Sequence, residues 1–238
     1  MDNENKQQKI VEMFDDIAPT YDKANRVLSM GIDIQWRKKA CDETYERYGN
    51  NIDLIVDVAC GTGDMMGYWK KQADKAHRSV KKILGVDPSV GMVSVGKEKF
   101  PEFEFVISDA TNLPLEDATA DILSISYGIR NVVKREEAFR EFARVLKKNG
   151  YVVILEFTKD DKKGFFFGIK DFYLNKILPK IGGYISKNKE AYEYLPNSIE
   201  GFLTSEVLQA ELDMAGFTTE YVKNFSMDIS TLVIAKKR

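Results

Sequence analysis

The residues best suited to chemistry surround a glycine turn in the segment VDVACGTGD, at 56–64. An apolar run that ends at Val58 leads into Gly61 and Gly63, and the pattern of a helix start follows. This strand–turn–helix order lets a ligand lie against backbone N–H groups. A second apolar run ends on Asp87, and an acid at the tip of the second strand can accept both hydroxyls of a ribose. Together the turn and the acid predict a site for a nucleoside-type cofactor.

The residue types in the turn narrow the choice of nucleoside. A dinucleotide site favours a GxGxxG turn, but Met66 stands where the third glycine would fall. The GxxxxGK[ST] pattern of a P-loop does not occur in the sequence. Asp57 and Asp64 flank the turn and disfavour a polyphosphate, whereas they suit a cofactor that carries an ammonium and a sulfonium group. These residues therefore favour S-adenosylmethionine over NAD or ATP.

Length, charge and residue counts argue against several other classes of protein. The chain has 238 residues, which suits one α/β domain with an elaboration. Its formal net charge of −2 argues against a broad basic face for nucleic acid. A single histidine, His77, and two cysteines, Cys41 and Cys60, favour neither a Ser-His-Asp triad nor a metal site. The polar N-terminus is not typical of a signal peptide and no apolar run is long enough for a membrane span, so a cytoplasmic protein is expected.

The hydrophobic pattern predicts strands that alternate with helices through the middle of the chain. The five strands predicted there are 54–58, 83–87, 103–107, 121–126 and 151–155. Such alternation implies an α/β fold with a doubly wound, mostly parallel sheet. A helix over Ser205–Ala215 ends at Gly216, and a hairpin at 218–224 and 230–235 follows it. The hairpin completes a seven-stranded sheet and is expected to make one edge strand antiparallel.

The chain is predicted to form a single domain with two helical additions. Its parts are a helical cap at 1–48, a cofactor-binding core at 49–160, a helical insert at 161–203, and a C-terminal helix and hairpin at 204–238. In the core, one helix is predicted from the apolar stripe Phe139, Phe142, Ala143 and Leu146, with Gly150 as its stop. In the insert, an aromatic stripe over 165–177 fits either a core face or a lid that lines an apolar substrate tunnel.

Longer blocks of sequence resemble one known family. With the glycine turn, Asp87 and the alternating pattern, the chain resembles the class I methyltransferases that use S-adenosylmethionine. FDDIAPTYDKANRVLSMGIDIQWRKKA at 14–40, ISYGIRNV at 125–132 and RVLKKNGYVVILEFTK at 144–159 resemble blocks of the quinone-biosynthesis C-methyltransferases. These are the demethylmenaquinone and polyprenyl-benzoquinol methyltransferases, whose insert is similar to 178–201.

The chain departs from the family's pattern at a few positions outside the cofactor motifs. Asp33 stands where the N-terminal signature usually has His, and Ala24 where it usually has Met. Lys148 and Asn149 replace a usual Pro-Gly pair. The exchange at Asp33 leaves open any substrate or proton role at that position.

The resemblance assigns cofactor contacts to residues at the ends of strands. Asp87 would hold the ribose, while Asp109 and Ala110 would clamp the adenine through a carboxylate and a backbone N–H. Ser126 would lie beside the methionine portion. The glycine turn would supply the other contacts, from Asp57, Gly61, Thr62 and Gly63.

The resemblance also implies that the methyl acceptor is a ring carbon of a polyprenylated quinol, and demethylmenaquinol is the first candidate for that quinol. Carbon is a poor nucleophile unless the ring carries a phenolate, so the protein must polarise a ring hydroxyl, align the reacting atoms and exclude water. The candidate catalytic residues are Tyr21 on the cap, and Arg130 and Asn131 beyond the fourth strand. Arg130 could stabilise a phenolate by charge and Asn131 could orient it, or each could instead hold the cap closed.

The residues leave other functions open. A methyltransferase that acts on oxygen or nitrogen of another small molecule would keep the same cofactor motifs, and a non-catalytic S-adenosylmethionine-binding partner protein is a further alternative. A nucleic-acid methyltransferase is disfavoured, because the sequence has neither a [DN]PP[YFW] block nor a Pro-Cys motif. The stripe at 165–177 has lysines beside it and could make weak peripheral contact with the membrane that holds such a quinol. The quinone, its tail length, a general base and the oligomeric state stay open.

Overall fold

The fold is a strand–helix core with helices added at its N-terminus. A computed structural model describes residues 3–49, 51–159, 188–226 and 228–238, so the aromatic stripe at 165–177 lies outside the described residues. The cap comprises α1 (Asn3–Ile17), a 3₁₀ turn (Ala18–Thr20), α2 (Tyr21–Leu28) and α3 (Ile32–Tyr48). The core comprises β1 (Ile52–Val58), α4 (Asp64–Lys75), β2 (Val80–Asp87), α5 (Val90–Lys99), β3 (Glu104–Ile107), β4 (Ala120–Ser126), a 3₁₀ turn (Ile129–Asn131), α6 (Arg135–Val145) and β5 (Leu146–Glu156). The last described elements are α7 (Lys189–Glu200), α8 (Ser205–Met214), β6 (Phe217–Phe225) and β7 (Ser230–Lys237).

Seven strands form one sheet in the order β3–β2–β1–β4–β5–β7–β6. The strands β1 to β5 pair in parallel, and β7 runs antiparallel to both of its neighbours. The sheet confirms the predicted doubly wound, mostly parallel architecture and all seven predicted strands. The chain winds outwards from β1 on one side and from β4 on the other. In such sheets ligands bind at the carboxyl ends of the strands beside this reversal.

The C-terminal hairpin differs from the prediction in where its antiparallel strand lies. The strand β7, which opposes the others, is inserted between β5 and β6, and β6 forms the edge. The expectation that the antiparallel strand would be at the edge is therefore wrong. The burial of the two strands gives the reason, since the apolar run Leu232–Ala235 of β7 is fully buried. In the strand β6 only Phe217 is buried and the other residues are half-buried or exposed, which suits a half-solvated edge.

The helix α6 ends earlier than predicted, at Val145. Phe139 and Phe142 are buried on its core face, as the stripe predicted. Leu146 instead begins β5 and pairs with Ala120 on β4, so the helix stop predicted at Gly150 is wrong. A Cβ at Gly150 would lie 2.9 Å from the carbonyl oxygen of Asp121, so this glycine serves a close approach of two backbones within the sheet.

The cap packs on the core through two apolar clusters. Ile17 and Leu28 from the N-terminal helices contact Met92 on α5. The third helix packs against the sheet and α4, where Tyr45 and Trp69 meet edge to face with ring centroids 5.3 Å apart. Among the helices of the described segments, none has the length and hydropathy that a membrane crossing needs.

A chain of buried polar groups joins α4 to the centre of the sheet. The indole Nε1 of Trp69 donates to Ser124 Oγ at 2.8 Å, and Ser124 Oγ donates to Asp57 Oδ1 at 2.6 Å. Asp57 on β1 and Ser124 on β4 are register partners, so the sheet itself sets this hydrogen bond. All three side chains are almost completely buried. Buried groups of this kind stabilise the fold only while each keeps its partner.

Replacing Ser124 with Ala should therefore lower the free energy of unfolding by about 2–6 kcal/mol, since two buried groups lose a partner at about 1–3 kcal/mol each. Urea unfolding followed by fluorescence measures this change. Ser94→Ala is the matched control, because the exposed Ser94 hydroxyl bonds only to the Val90 carbonyl oxygen of its own helix. A Ser124→Ala variant as stable as the control would show that the chain of hydrogen bonds contributes nothing.

Candidate active site

The turn after β1 is held in an unusual backbone conformation. Gly61 and Gly63 have φ values of 55° and 82°, and the non-glycine residue Ala59 has φ 50°. A Cβ at Gly63 would lie 2.9 Å from the ring of Phe105, so the turn packs too closely for a larger residue there. Strained backbone of this kind is common at ligand sites. The turn therefore presents backbone rather than side chains at the carboxyl edge of the sheet.

Asp87, at the end of β2, ties this turn to the next one. Its Oδ2 accepts from Gly61 N at 2.8 Å, and its Oδ1 accepts from Ser89 N at 2.9 Å. Burial raises the pKa of Asp87 to about 6, although the two backbone hydrogen bonds oppose that rise. Each carboxylate oxygen has a second lone pair, so the side chain can still accept from a ligand.

A cavity of about 250 Å³ opens beside Asp87 and continues under the cap. Ser126 lines this cavity at the end of β4, and its buried Oγ has no hydrogen-bond partner among the described residues. An unpartnered buried hydroxyl is costly unless a ligand or water completes it. Seven of the predicted site residues line the cavity, namely Tyr21, Gly61, Asp87, Asp109, Ala110, Ser126 and Asn131.

Four predicted site residues lie outside the cavity lining. Asp57 lies beneath the turn in the buried hydrogen-bond chain, and the hydroxyl of the buried Thr62 donates to Asp22 Oδ1 of the cap at 2.7 Å. Gly63 lies in the turn, close to the ring of Phe105. Arg130 is buried against the end of β5. The structure thus gives these residues neighbours within the protein and brings the other seven together.

The side chain of Asp109 is organised by the loop that follows β3. Its Oδ1 accepts from the backbone N–H of Thr111 at 2.7 Å and also from the Thr111 hydroxyl. Asp109 is exposed at the cavity wall, while Ala110 beside it is buried. Fixing Oδ1 in this way sets the direction of the whole carboxylate.

Tyr21 from the cap and Asn131 from the turn after β4 both line the cavity. Burial raises the pKa of the Tyr21 hydroxyl, and the guanidinium groups of Arg130 and Arg37 oppose the rise. The Oδ1 of Asn131 accepts from the Tyr194 hydroxyl on α7 at 2.9 Å. A polar acceptor in this region would therefore meet a tyrosine, an amide and the field of two cations.

An ion-pair network that sequence reasoning missed seats the cap on the turn. Lys99 on α5 pairs with Asp22 at 2.6 Å and also with Asp64 at the start of α4. Asp64 pairs with Arg26, which pairs in turn with Asp33. Asp33, whose role the family pattern left open, thus has ion-pair partners within the cap. Charges of alternating sign are visible in the sequence, but only tertiary packing brings them together.

Sequence reasoning also missed α1 as a wall of the cavity. Gln7, Val11 and Phe14 of this helix line the cavity, and Asp15 Oδ1 accepts from Gly91 N at 2.7 Å at the start of α5. The sequence predicted a helical cap at 1–48, but it did not indicate which surface each helix of the cap would cover. That assignment needs the position of α5.

Comparison with known proteins gives matches over nearly the whole chain. Residues 2–237 match the model of the ubiE/COQ5 methyltransferase family. The ubiquinone/menaquinone biosynthesis C-methyltransferase UbiE of Campylobacter jejuni strain 81-176 is 58% identical, over 98% of this chain and 99% of that protein. The demethylmenaquinone methyltransferase of Thermus thermophilus is 38% identical, over 88% of this chain and 93% of that protein.

Solved structures agree on the fold. A SAM-dependent methyltransferase from Aquifex aeolicus aligns with a TM-score of 0.57 at 17% identity, covering 83% of this chain and 89% of that one. Likeness at this level of identity supports the class I methyltransferase fold and does not extend to substrate.

Asp57 generates a prediction for the pH dependence of stability. Burial raises its pKa to about 7 in the folded protein, against the hydrogen bond from Ser124, whereas in the unfolded chain an aspartate titrates at about pH 4. Between these values the folded state binds more protons, so this group lowers the free energy of unfolding as pH rises. Asp57→Asn cannot ionise, and its stability relative to the native protein should rise from about pH 4 to about pH 7 and then level off.

Urea unfolding at several pH values measures this difference. Asp74→Asn is the control, because the Asp74 side chain is 68% exposed and pairs only loosely with Lys70. A stability difference between Asp57→Asn and the native protein that stays constant across this range would contradict the buried, protonated state.

Proposed function

The chain belongs to the ubiE/COQ5 methyltransferase family, and on that premise we propose that it transfers a methyl group from S-adenosylmethionine to a ring carbon of a polyprenylated quinol. Demethylmenaquinol is the first acceptor to consider, given the name of the Thermus relative. The observation that carries the proposal is 58% identity to a C-methyltransferase of ubiquinone and menaquinone biosynthesis over 98% of this chain. The cavity at the carboxyl edge of the sheet would be the place of the reaction.

The residues around the glycine turn fit S-adenosylmethionine. Asp87 would accept from the ribose hydroxyls, while Asp109 and Ala110 would address the adenine. The unpartnered Oγ of Ser126 would gain a hydrogen bond from the methionine portion. When bound, this cofactor supplies an electrophilic methyl group on a sulfonium. Backbone of the turn near Gly61 would complete the contacts.

The acceptor side of the cavity would activate the quinol ring. A ring hydroxyl placed beside Tyr21 and Asn131 would share its proton with the Tyr21 hydroxyl oxygen in a hydrogen bond, and the field of the nearby guanidinium groups would stabilise the negative charge left on the ring oxygen. That charge would raise the nucleophilicity of the adjacent ring carbon. The cap would cover the ring and exclude water. Arg130 would act through the electrostatic field of its charge, because its guanidinium is buried outside the cavity lining and paired with Glu156.

The proposal extends to the setting of the reaction. A quinol with an isoprenoid tail dissolves in a membrane, and no helix within the described ranges could span one. Weak peripheral contact of a cytoplasmic enzyme with that membrane, through the aromatic segment at 165–177, would bring the two together. That segment lies outside the described residues.

A methyl-transfer assay with purified protein tests the function. The protein is incubated with demethylmenaquinol and with S-adenosylmethionine that carries a deuterated methyl group. The product is then reoxidised and its mass is determined by mass spectrometry. We expect the label to remain in a quinone, because a methyl on carbon leaves both hydroxyls free to reoxidise. Label found in an ether that cannot return to the quinone, or no transfer to any polyprenyl quinol, would contradict the proposal.

The ribose assignment predicts a loss of cofactor affinity in Asp87→Asn. Replacing a charged acceptor by an amide should weaken both S-adenosylmethionine and S-adenosylhomocysteine by about ten- to hundredfold, since charge-assisted hydrogen bonds contribute about 1.5–3 kcal/mol. Isothermal titration calorimetry measures both dissociation constants, with Asp74→Asn as the exposed control. Unchanged affinity would remove Asp87 from the ribose site.

The acceptor assignment predicts a different effect for Tyr21→Phe. Removal of the hydroxyl should lower kcat for the quinol by about a hundredfold, within the range of general acid–base contributions, while S-adenosylhomocysteine affinity changes less than about twofold. Tyr221→Phe is the matched control, because Tyr221 lies on the edge strand β6 away from the cavity. Equal losses of cofactor affinity and turnover would instead indicate a structural role for Tyr21.

A further inference from the structure

The strand β5 ends at Glu156, a buried carboxylate within the block RVLKKNGYVVILEFTK. The proposed mechanism assigns no role to this residue. Glu156 is fully buried. Its Oε1 accepts from Arg130 Nη1 at 2.5 Å and from Phe157 N at 2.7 Å, and its Oε2 lies 3.3 Å from the backbone N–H of Arg130. One carboxylate thus holds both the backbone and the side chain of Arg130.

The guanidinium of Arg130 is held on its other sides as well. Its Nη1 also donates to the carbonyl oxygen of Tyr127 at 2.8 Å, and its Nε donates to Ser198 Oγ on α7 at 3.2 Å. The ring of Phe157 lies 5.4 Å from its Cζ. Within the described residues Nη2 has no hydrogen-bond partner, so the guanidinium is held through Nε and Nη1.

The neighbours of Arg130 are residues of the acceptor side of the cavity. The carbonyl of Tyr127 belongs to a residue with φ 60°, which lines the cavity together with Asn131. The hydroxyl of Tyr21 lies within the electrostatic reach of this guanidinium. A small shift of Arg130 would therefore change the electrostatic field at a bound ring and the position of the Tyr127 carbonyl, and such shifts can cost about a hundredfold in rate.

We propose that Glu156 is the positioning residue for Arg130 and fixes its guanidinium behind the cavity lining, so that its positive charge stays directed at the quinol oxygen. The inference rests on the proposed function, since it gives Arg130 a role in turnover. Glu156 itself touches neither the quinol nor the cofactor. Its carboxylate acts only through Arg130.

A merely structural role for the pair is the alternative that a test must separate. Buried ion pairs often contribute little to stability compared with apolar residues of similar size, but removing one partner leaves an uncompensated group. A structural role predicts lower stability and parallel losses in cofactor affinity and turnover. A positioning role predicts a loss of kcat while the affinity for S-adenosylhomocysteine is kept.

A double-mutant cycle with Glu156→Gln and Arg130→Lys tests the proposal on the full-length protein. We expect each single variant to lower kcat for demethylmenaquinol by about ten- to hundredfold, with S-adenosylhomocysteine affinity within about twofold of the native protein. The double variant should be no slower than the slower single variant, because both changes disable one unit. Glu211→Gln is the matched control, since Glu211 accepts two hydrogen bonds from Arg135 at 2.6 and 2.8 Å in a pair outside the cavity lining, and it should keep native turnover.

Three outcomes would overturn the proposal. They are native kcat in Glu156→Gln, losses that multiply in the double variant, and loss of cofactor affinity in parallel with turnover. If Glu156→Gln does not fold, Glu156→Asp replaces it in the cycle, because it keeps the charge and shortens the side chain by one methylene. Failure of the proposed function is distinguishable, since the native protein would then not methylate the quinol at all.

Discussion

The two hydrogen bonds that Asp87 accepts from Gly61 N and Ser89 N join the turns at the ends of β1 and β2. Because those turns also begin α4 and α5, one carboxylate sets the spacing of two helices and the floor of the cavity between them. The cap depends on the same arrangement, since Asp15 of α1 bonds to the start of α5. The floor of the cavity and the position of the cap therefore both depend on the buried carboxylate of Asp87.

Charges hold the cap to the core in addition to the two apolar clusters. Lys99, Asp64 and Arg26 form a line of alternating charge that crosses from α5 to the cap over the start of α4. The Thr62 hydroxyl of the glycine turn joins this line through Asp22. A cofactor in the turn and an acceptor under the cap would thus share neighbours.

The sequence could predict what depends on local pattern. Gly61, Asp87 and Ser126 fall at strand ends that hydrophobic periodicity marks, and the parallel sheet then brings those ends together. The roles of Asp57 and Arg130 needed the tertiary structure, since the first has its hydrogen-bond partner on β4 and the second has its carboxylate on β5. The order of β6 and β7 was misjudged for a similar reason, because hairpin spacing does not say which strand lies at the edge.

A crystal structure with S-adenosylhomocysteine tests the central claim, that the cavity at the ends of β1, β2 and β4 is the cofactor site. The account predicts ribose hydroxyls within hydrogen-bond distance of the Asp87 carboxylate, and a ligand partner for the Oγ of Ser126. The adenine should lie beside Asp109 and Ala110. A ligand bound elsewhere, or one that leaves Asp87 and Ser126 without contact, would contradict the account.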